Sequence, residues 1–398
     1  MDAQSGAVLR ALPADTLRGW SGLRRFFEVT VRDAAGKSVA FRYSRFCPNS
    51  LDRWAVVEDP SGARYPETCP SGSPFVRGMV WGIGSGWAVP AFGFLSEFST
   101  KRYSIPLARG SYTATVRIAP LYRSLLGVAP EQAEVTVDFT VEPASSPRGA
   151  QQSTPAPARA TAGIPPAMSD PDPSLLPDLV ALPPWNVALY KSPGGRDLLA
   201  FAASPWNAGP GPLVVEGFRR PGTDTMEAYQ SFYEGDTPVG RTRAGGLVFD
   251  ARRGHDHWHF LQFSRYSLID PDRGRIMRSR KQSFCLAPTD AIDLTVPNAA
   301  WTPWSLTYMS VCGGRSAKWL REAMPVGWAD TYFQVVAGQA FDVTSLPNGR
   351  YAIEIEVNPL GLLHERTRSN NVARRTVVLR GTRHDRRITV LPWRSISS

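Results

Sequence analysis

The sequence predicts an all-β protein of two folded units, and three observations carry that prediction. Short runs in both halves alternate apolar and polar residues, the period-2 pattern of half-buried strands. No stretch sustains the 3.6-residue period of an amphipathic helix. Between the halves, residues 144–173 are dominated by Pro, Ala and Ser, a composition that extends the chain and buries no core. With 398 residues, 42% hydrophobic content and twelve Trp, the chain has enough apolar side chain for two cores, which excludes a disordered protein.

Residues 1–143 hold the first set of strands. Phe27–Arg32, Tyr112–Ile118 and Val135–Val141 alternate strictly, and turn formers punctuate them. This pattern predicts an immunoglobulin-like β-sandwich. The half contains no histidine and no catalytic constellation. In the stretch 144–173, Ser145-Ser146-Pro147, Thr154–Ala158 and Asp170-Pro171-Asp172-Pro173 read as an exposed, semi-rigid linker.

Residues 174–398 are again strand-rich, with expected strands over 246–249, 258–269, 341–343 and 351–357. Asn348-Gly349, between the last two, reads as a turn because both residues tolerate positive φ. Pro271-Asp272-Arg273-Gly274 likewise ends the strand before it.

The four cysteines fall as two pairs, Cys47 with Cys69 and Cys285 with Cys312, one in each half. Neither pair has the CxxC spacing of zinc or redox motifs, so two structural disulfides in an oxidising, extracellular compartment are expected, with four buried thiols as the alternative. No window approaches the roughly 20 apolar residues of a membrane span. The first twenty residues also lack the basic start and apolar core of an export signal.

The net charge is +10, carried by forty Arg against only five Lys, with Arg crowding the last stretch from Arg366 to Arg394. Aromatic interleaving and nucleic-acid motifs are missing from the basic regions, so these charges read as solvated surface and no nucleic-acid partner is expected. The scarcity of lysine makes any well-placed lysine worth inspecting.

His255, His257 and His259 alternate in the run His-Asp-His-Trp-His. On a strand they project from one face at about 3.3 Å rise per residue. Three imidazoles with open positions suit a catalytic zinc, copper, iron or nickel ion. Asp256 points to the other face.

From about Pro177 to the end, the chain resembles the catalytic domain of lysyl oxidases of the bacterial secreted type. The collinear pieces are Pro177–Val180, the histidine run with Phe263–Tyr266, Arg280–Leu286 and Asp330-Thr331-Tyr332. They continue with Phe341–Thr344, Gly349-Arg350-Tyr351, Val357-Asn358-Pro359 and Ser369-Asn370-Asn371. The resemblance implies a β-sandwich catalytic domain with long loops over 174–398. It implies oxidative deamination of primary amines, peptidyl lysine among them, by O₂ to aldehyde, ammonia and hydrogen peroxide. His255, His257 and His259 would be copper(II) ligands, and Lys281 and Tyr332 would form a lysine tyrosylquinone. Burial near a metal would favour the neutral, nucleophilic amine of that lysine. Cys285 and Cys312 would staple the lysine segment.

Asp330 stands two residues before Tyr332, so on an extended segment both face the same way, which makes it a candidate for the proton-abstracting base. The resemblance also matches Asp178, the Leu179 carbonyl, Glu365, Asn370 and Asn371 to oxygen ligands of a calcium ion. Two departures stand out: Arg280 where family members often carry histidine, and Thr367 where a further carboxylate ligand can stand. Two other readings of the histidine run remain. One is a zinc hydrolase with a metal-bound water; the other is a non-catalytic secreted binding protein stabilised by metal.

Overall fold

The computed structural model describes residues 11–17, 19–50, 52–60, 65–69, 72–91, 105–142, 164–220, 222–251, 256–279, 281, 283–309, 312–334, 338–383 and 385–393. The chain forms two compact units, Met1–Gly72 with Val80–Pro155, and Ser73–Met79 with Ala156–Ser398. Among the described residues no helix is long and apolar enough to cross a membrane.

The first unit contains β1 (Leu23–Asp33), β2 (Ser38–Phe46), β3 (Trp54–Ala55), β4 (Trp87–Ala88), β5 (Gly110–Ile118), α1 (Pro120–Leu126) and β6 (Glu134–Val141). An antiparallel sheet runs β2-β1-β5-β6, with Val29 opposite Val116 and Val116 opposite Val135. The three alternating runs of the sequence are its strands β1, β5 and β6. A short helix covers one end: Pro120 sits in its first turn, and Gly127 closes it with φ 66°. Its Tyr122 ring lies 4.8 Å from that of Phe26, and the hydroxyl donates to the Arg24 carbonyl at 2.5 Å. Cys47 and Cys69 are bonded. Among the described residues the other strands of this unit are the pair β3–β4, so the topology establishes an all-β class without a second sheet of sandwich size.

The second unit begins with β7 (Leu179–Val180), β8 (Trp185–Lys191), β9 (Asp197–Ala202), β10 (Trp206–Asn207), β11 (Leu213–Arg219) and β12 (Thr225–Glu234). It continues with β13 (Thr237–Asp250), β14 (His257–Leu261), β15 (Ser264–Asp270), β16 (Gly274–Arg278), β17 (Ser283–Phe284) and β18 (Asp290–Ala291). It ends with β19 (Trp319–Met324), β20 (Trp328–Ala329), β21 (Ala340–Asp342), β22 (Gly349–Val357), β23 (Val372–Thr382) and β24 (Asp385–Val390). Two sheets, β17-β14-β13-β12-β11-β19 and β16-β15-β22-β23-β24, bury a shared core. In β22, Tyr351, Ile353, Ile355 and Val357 point inward by period-2 alternation, whereas Arg275 and Arg374 pair with Glu354. Two smaller sheets, β18-β20-β10-β7 and β21-β9-β8, complete the unit.

The sequence-based strands lie within this framework, with two corrections. The run 258–269 is two strands, β14 and β15, broken at Gln262 by a φ of 62°. Asn348-Gly349 is not a hairpin turn: β21 and β22 belong to different sheets, and neither residue has positive φ. The turn after β21 falls at Thr344-Ser345, where Asp342 accepts from both the Thr344 amide and its hydroxyl, an Asx-type turn. Pro271–Gly274 does close a hairpin, β15–β16, with Gly274 at φ 73°. Of the proline-rich stretch, 144–163 lies outside the described residues. Residues 166–168 run beside β13, where Met168 donates to the Arg241 carbonyl at 2.8 Å and Arg241 to that of Pro166 at 2.9 Å.

Candidate functional site

β14 is held on both sides. Its Phe260 pairs with Leu247 of β13 and with Phe284 of β17, and the Trp258 amide donates to the Cys312 carbonyl at 3.0 Å. The bonded pair Cys285–Cys312 therefore ties the segment after β17 to the neighbour of β14. Alternation along β14 puts His257 and His259 on one face, with their Nε2 atoms 2.9 Å apart. That is hydrogen-bond distance between the two rings, and among the described residues no group of three or more His, Cys, Asp or Glu side chains gathers as a metal site. Asp256, exposed and at φ 50°, ends the strand alternation, and His255 lies outside the described residues.

The far side of His259 is also furnished. Its Nδ1 lies 3.5 Å from Asp250 Oδ2 and 3.2 Å from Ser283 Oγ. Such partners fix the ring's tautomer and aim the other nitrogen at a metal. The pairing of Asp250 with His257 across β13 and β14 brings that carboxylate there. Asp250 carries no sequence signal and Ser283 only its place in the run Arg280–Leu286; strand pairing brings both to His259.

Ser283 also touches the lysine. Lys281, only 7% exposed, donates from Nζ to the Ser283 carbonyl at 3.0 Å. The same Nζ lies 4.4 Å from the centre of the Tyr332 ring and 4.8 Å from that of Phe284. The fold thus brings together two side chains 51 residues apart. Arg280, beside the lysine, lies outside the described residues.

Tyr332 is fixed from several sides. Its backbone exchanges hydrogen bonds with Ala203, at 2.8 and 3.0 Å, and its hydroxyl lies 2.5 Å from Asp330 Oδ2 and 2.8 Å from the Cys285 carbonyl, its one proton facing both acceptors. Asp330 is 2% exposed, and burial pushes its carboxyl up to about 8, against the lowering effects of the Tyr332 hydroxyl and the Lys281 charge. Burial, with Asp330 beside it, also raises the Tyr332 phenol well above its ordinary value. Glu322, fully buried on β19, has its pKa raised by the same desolvation, and accepts the Leu286 amide at 3.0 Å and the Phe260 amide. Sequence reasoning missed it: an isolated Glu in an apolar run has no motif, and only its bonds to the amides of Phe260 and Leu286 mark its position.

A second cluster consists of oxygen atoms. Asn370 Nδ2 donates to Asp178 Oδ1 at 2.9 Å, and Asn371 Nδ2 to Glu365 Oε1 at 2.8 Å. These amides turn their nitrogens into the protein, leaving Asn370 Oδ1, Asn371 Oδ1 and Glu365 Oε2 buried with no hydrogen-bond partner among the described residues. Three buried acceptors without donors fit a hard cation. Thr367 instead places its hydroxyl 2.9 Å from that of Ser369.

Residues 247–388 match the family model for lysyl oxidase. This stretch resembles the lysyl oxidase family. Protein-lysine 6-oxidase of Sus scrofa is 29% identical over 122 residues, which is 30% of this chain and 43% of that protein. The Rattus norvegicus protein of that name is 29% identical over 122 residues, 30% of this chain and 26% of its own length. Lysyl oxidase homolog 4 of Mus musculus is 27% identical over 135 residues, 34% of this chain and 16% of its own length. The chain thus spans less than half the length of these relatives. The lysyl oxidase stretch contains the histidine run, Lys281, Tyr332, Glu365, Asn370 and Asn371, whereas Asp178 and Leu179 precede it.

Proposed function

We propose that this chain is a secreted copper amine oxidase of lysyl oxidase type, oxidising primary amines, with lysine side chains of peptides or proteins among them. One observation carries the reading: the buried Lys281 amine lies 4.4 Å from the centre of the Tyr332 ring, which brings together the two side chains that the family resemblance pairs in the cofactor. The family match and the names of the relatives support it. Two disulfides support an extracellular setting.

His257 and His259, with His255, would hold copper, and imidazole nitrogens suit that ion. With dioxygen, the metal would supply oxidation of the Tyr332 ring, and the resulting lysine tyrosylquinone the two-electron sink for converting amine, O₂ and water to aldehyde, ammonia and hydrogen peroxide. Asp250 and Ser283 orient His259. The Ser283 carbonyl holds Lys281 Nζ against the ring, and Asp330 with the Cys285 carbonyl fixes the phenol oxygen. Asp330, titrating near neutral pH, is suited to take the substrate's α-proton. The oxygen cluster of Asp178, Leu179, Glu365, Asn370 and Asn371 would bind calcium.

Peptide mass mapping after copper loading in air tests the reading. A covalent link between the Lys281 and Tyr332 peptides is expected, absent from Tyr332→Phe. Two unmodified peptides in fully copper-loaded, aerated protein would refute the proposal. A zinc hydrolase predicts instead that Tyr332→Phe retains full activity.

A further inference from the structure

Seven residues from the first half of the sequence, Ser73–Met79, belong to the second unit, although the chain on both sides belongs to the first. The segment is firmly built in. Arg77 and Gly78 donate their amides to the Ile292 carbonyl at 2.7 and 3.4 Å, and Leu294 donates to the Gly78 carbonyl at 2.9 Å, a parallel bridge at Gly78 and Asp293. Gly78 is required for this approach, since a Cβ there would overlap the Asp293 and Thr295 side chains. Phe75 is 1% exposed in a cluster with Val180, Leu182, Trp206, Ile292 and Ala329, its ring 5.1 Å from that of Trp393.

The segment lies one strand away from the candidate site. β18, which leads into Ile292, pairs with β20, Asp290 opposite Ala329, and Ala329 immediately precedes Asp330. Thr289 Oγ1 accepts the Thr331 amide at 2.6 Å, so β18 also fixes the backbone between Asp330 and Tyr332. In the first unit, the Asn49 amide closes the base of this excursion by donating to both the Thr68 and Val80 carbonyls at 2.9 Å.

We infer that Ser73–Met79 is an obligatory strap of the second unit, with Phe75 a positioning residue for the Asp330–Tyr332 segment. The two pieces of a chain cut within 144–163 then stay associated through Ser73–Met79, and the second unit does not complete its site without that segment. This holds whether or not the site oxidises amines, so amide exchange rather than turnover is the primary readout.

Hydrogen exchange on the full chain carrying Phe75→Ala or Gly78→Val is expected to be at least about tenfold faster at Ile292, Leu294 and Asp330, with Ile353 and Ile355 of β22 still protected. Unchanged protection at Ile292 and Leu294 in Phe75→Ala would overturn the inference. A protease site inserted within 144–163 avoids dependence on the variants' folding. After cutting, the two pieces are expected to co-elute on gel filtration and to part only in denaturant. Separation in native buffer, with Ile292 and Asp330 still protected in the second piece, would equally overturn it.

Discussion

Asp330 combines two properties that a catalytic carboxyl needs: contact with the Tyr332 hydroxyl and a titration raised by burial to about 8. As the base, it must be ionised, so kcat is expected to rise with pH around 8, and Asp330→Asn to lower kcat by about 10²–10⁴ and abolish that rise. A retained rise in the variant would assign the base elsewhere. The stability sign is separate. The folded carboxyl keeps its proton above the unfolded value of 3.8, so stability is greatest below that value and falls as pH rises from 3.8 to about 8. Asp330→Asn should flatten that decline in denaturation midpoint. Asp330 was legible from its spacing to Tyr332, and Lys281 and Tyr332 only through the family resemblance. Taken singly, a lysine usually lies at the surface and a tyrosine usually packs. Glu322 was illegible because its role depends on amides that tertiary pairing delivers.

At the scale of the strand, period-2 alternation accounts for His257 and His259 on one face of β14, and it ends at Asp256, where φ turns positive. What the sequence could not convey is the neighbouring strand's register. That register sets Asp250 of β13 beside the histidines, and β17 brings Ser283 to the same ring. For the same reason the Asn348-Gly349 signal misled: turn propensity is local, whereas assignment of β21 and β22 to different sheets is not. Removing a partner that orients a metal-bound imidazole typically weakens affinity about 10–100-fold. Asp250→Ala is therefore expected to lose copper affinity by that factor in a chelator competition, with Asp250→Asn intermediate. Equal affinity in all three proteins would remove Asp250 from the metal's surroundings.

Across the second unit as a whole, the oxygen cluster joins places far apart in sequence: Asp178 beside β7, Glu365 in the loop after β22, and Asn370 and Asn371 at the start of β23. The family resemblance supplied these residues; the three buried acceptors without donors supply the physical reason for a cation. Leaving such groups unsatisfied costs about 1–3 kcal/mol each, so an ion that satisfies them all binds the folded chain and not the unfolded one. Calcium at 100 times its Kd adds about 2.7 kcal/mol, which for a unit of this size raises Tm by roughly 5–10 °C. Magnesium, which demands tighter octahedral geometry, should give a smaller shift at equal concentration. Glu365→Gln removes the charge while keeping the shape and is expected to abolish most of the calcium shift. Thermal scans with calcium, magnesium and chelator decide it. A Tm indifferent to calcium in the wild-type protein would mean that the three oxygens meet buried water instead, and that the hydroxyl at Thr367 marks a site that has lost its ion.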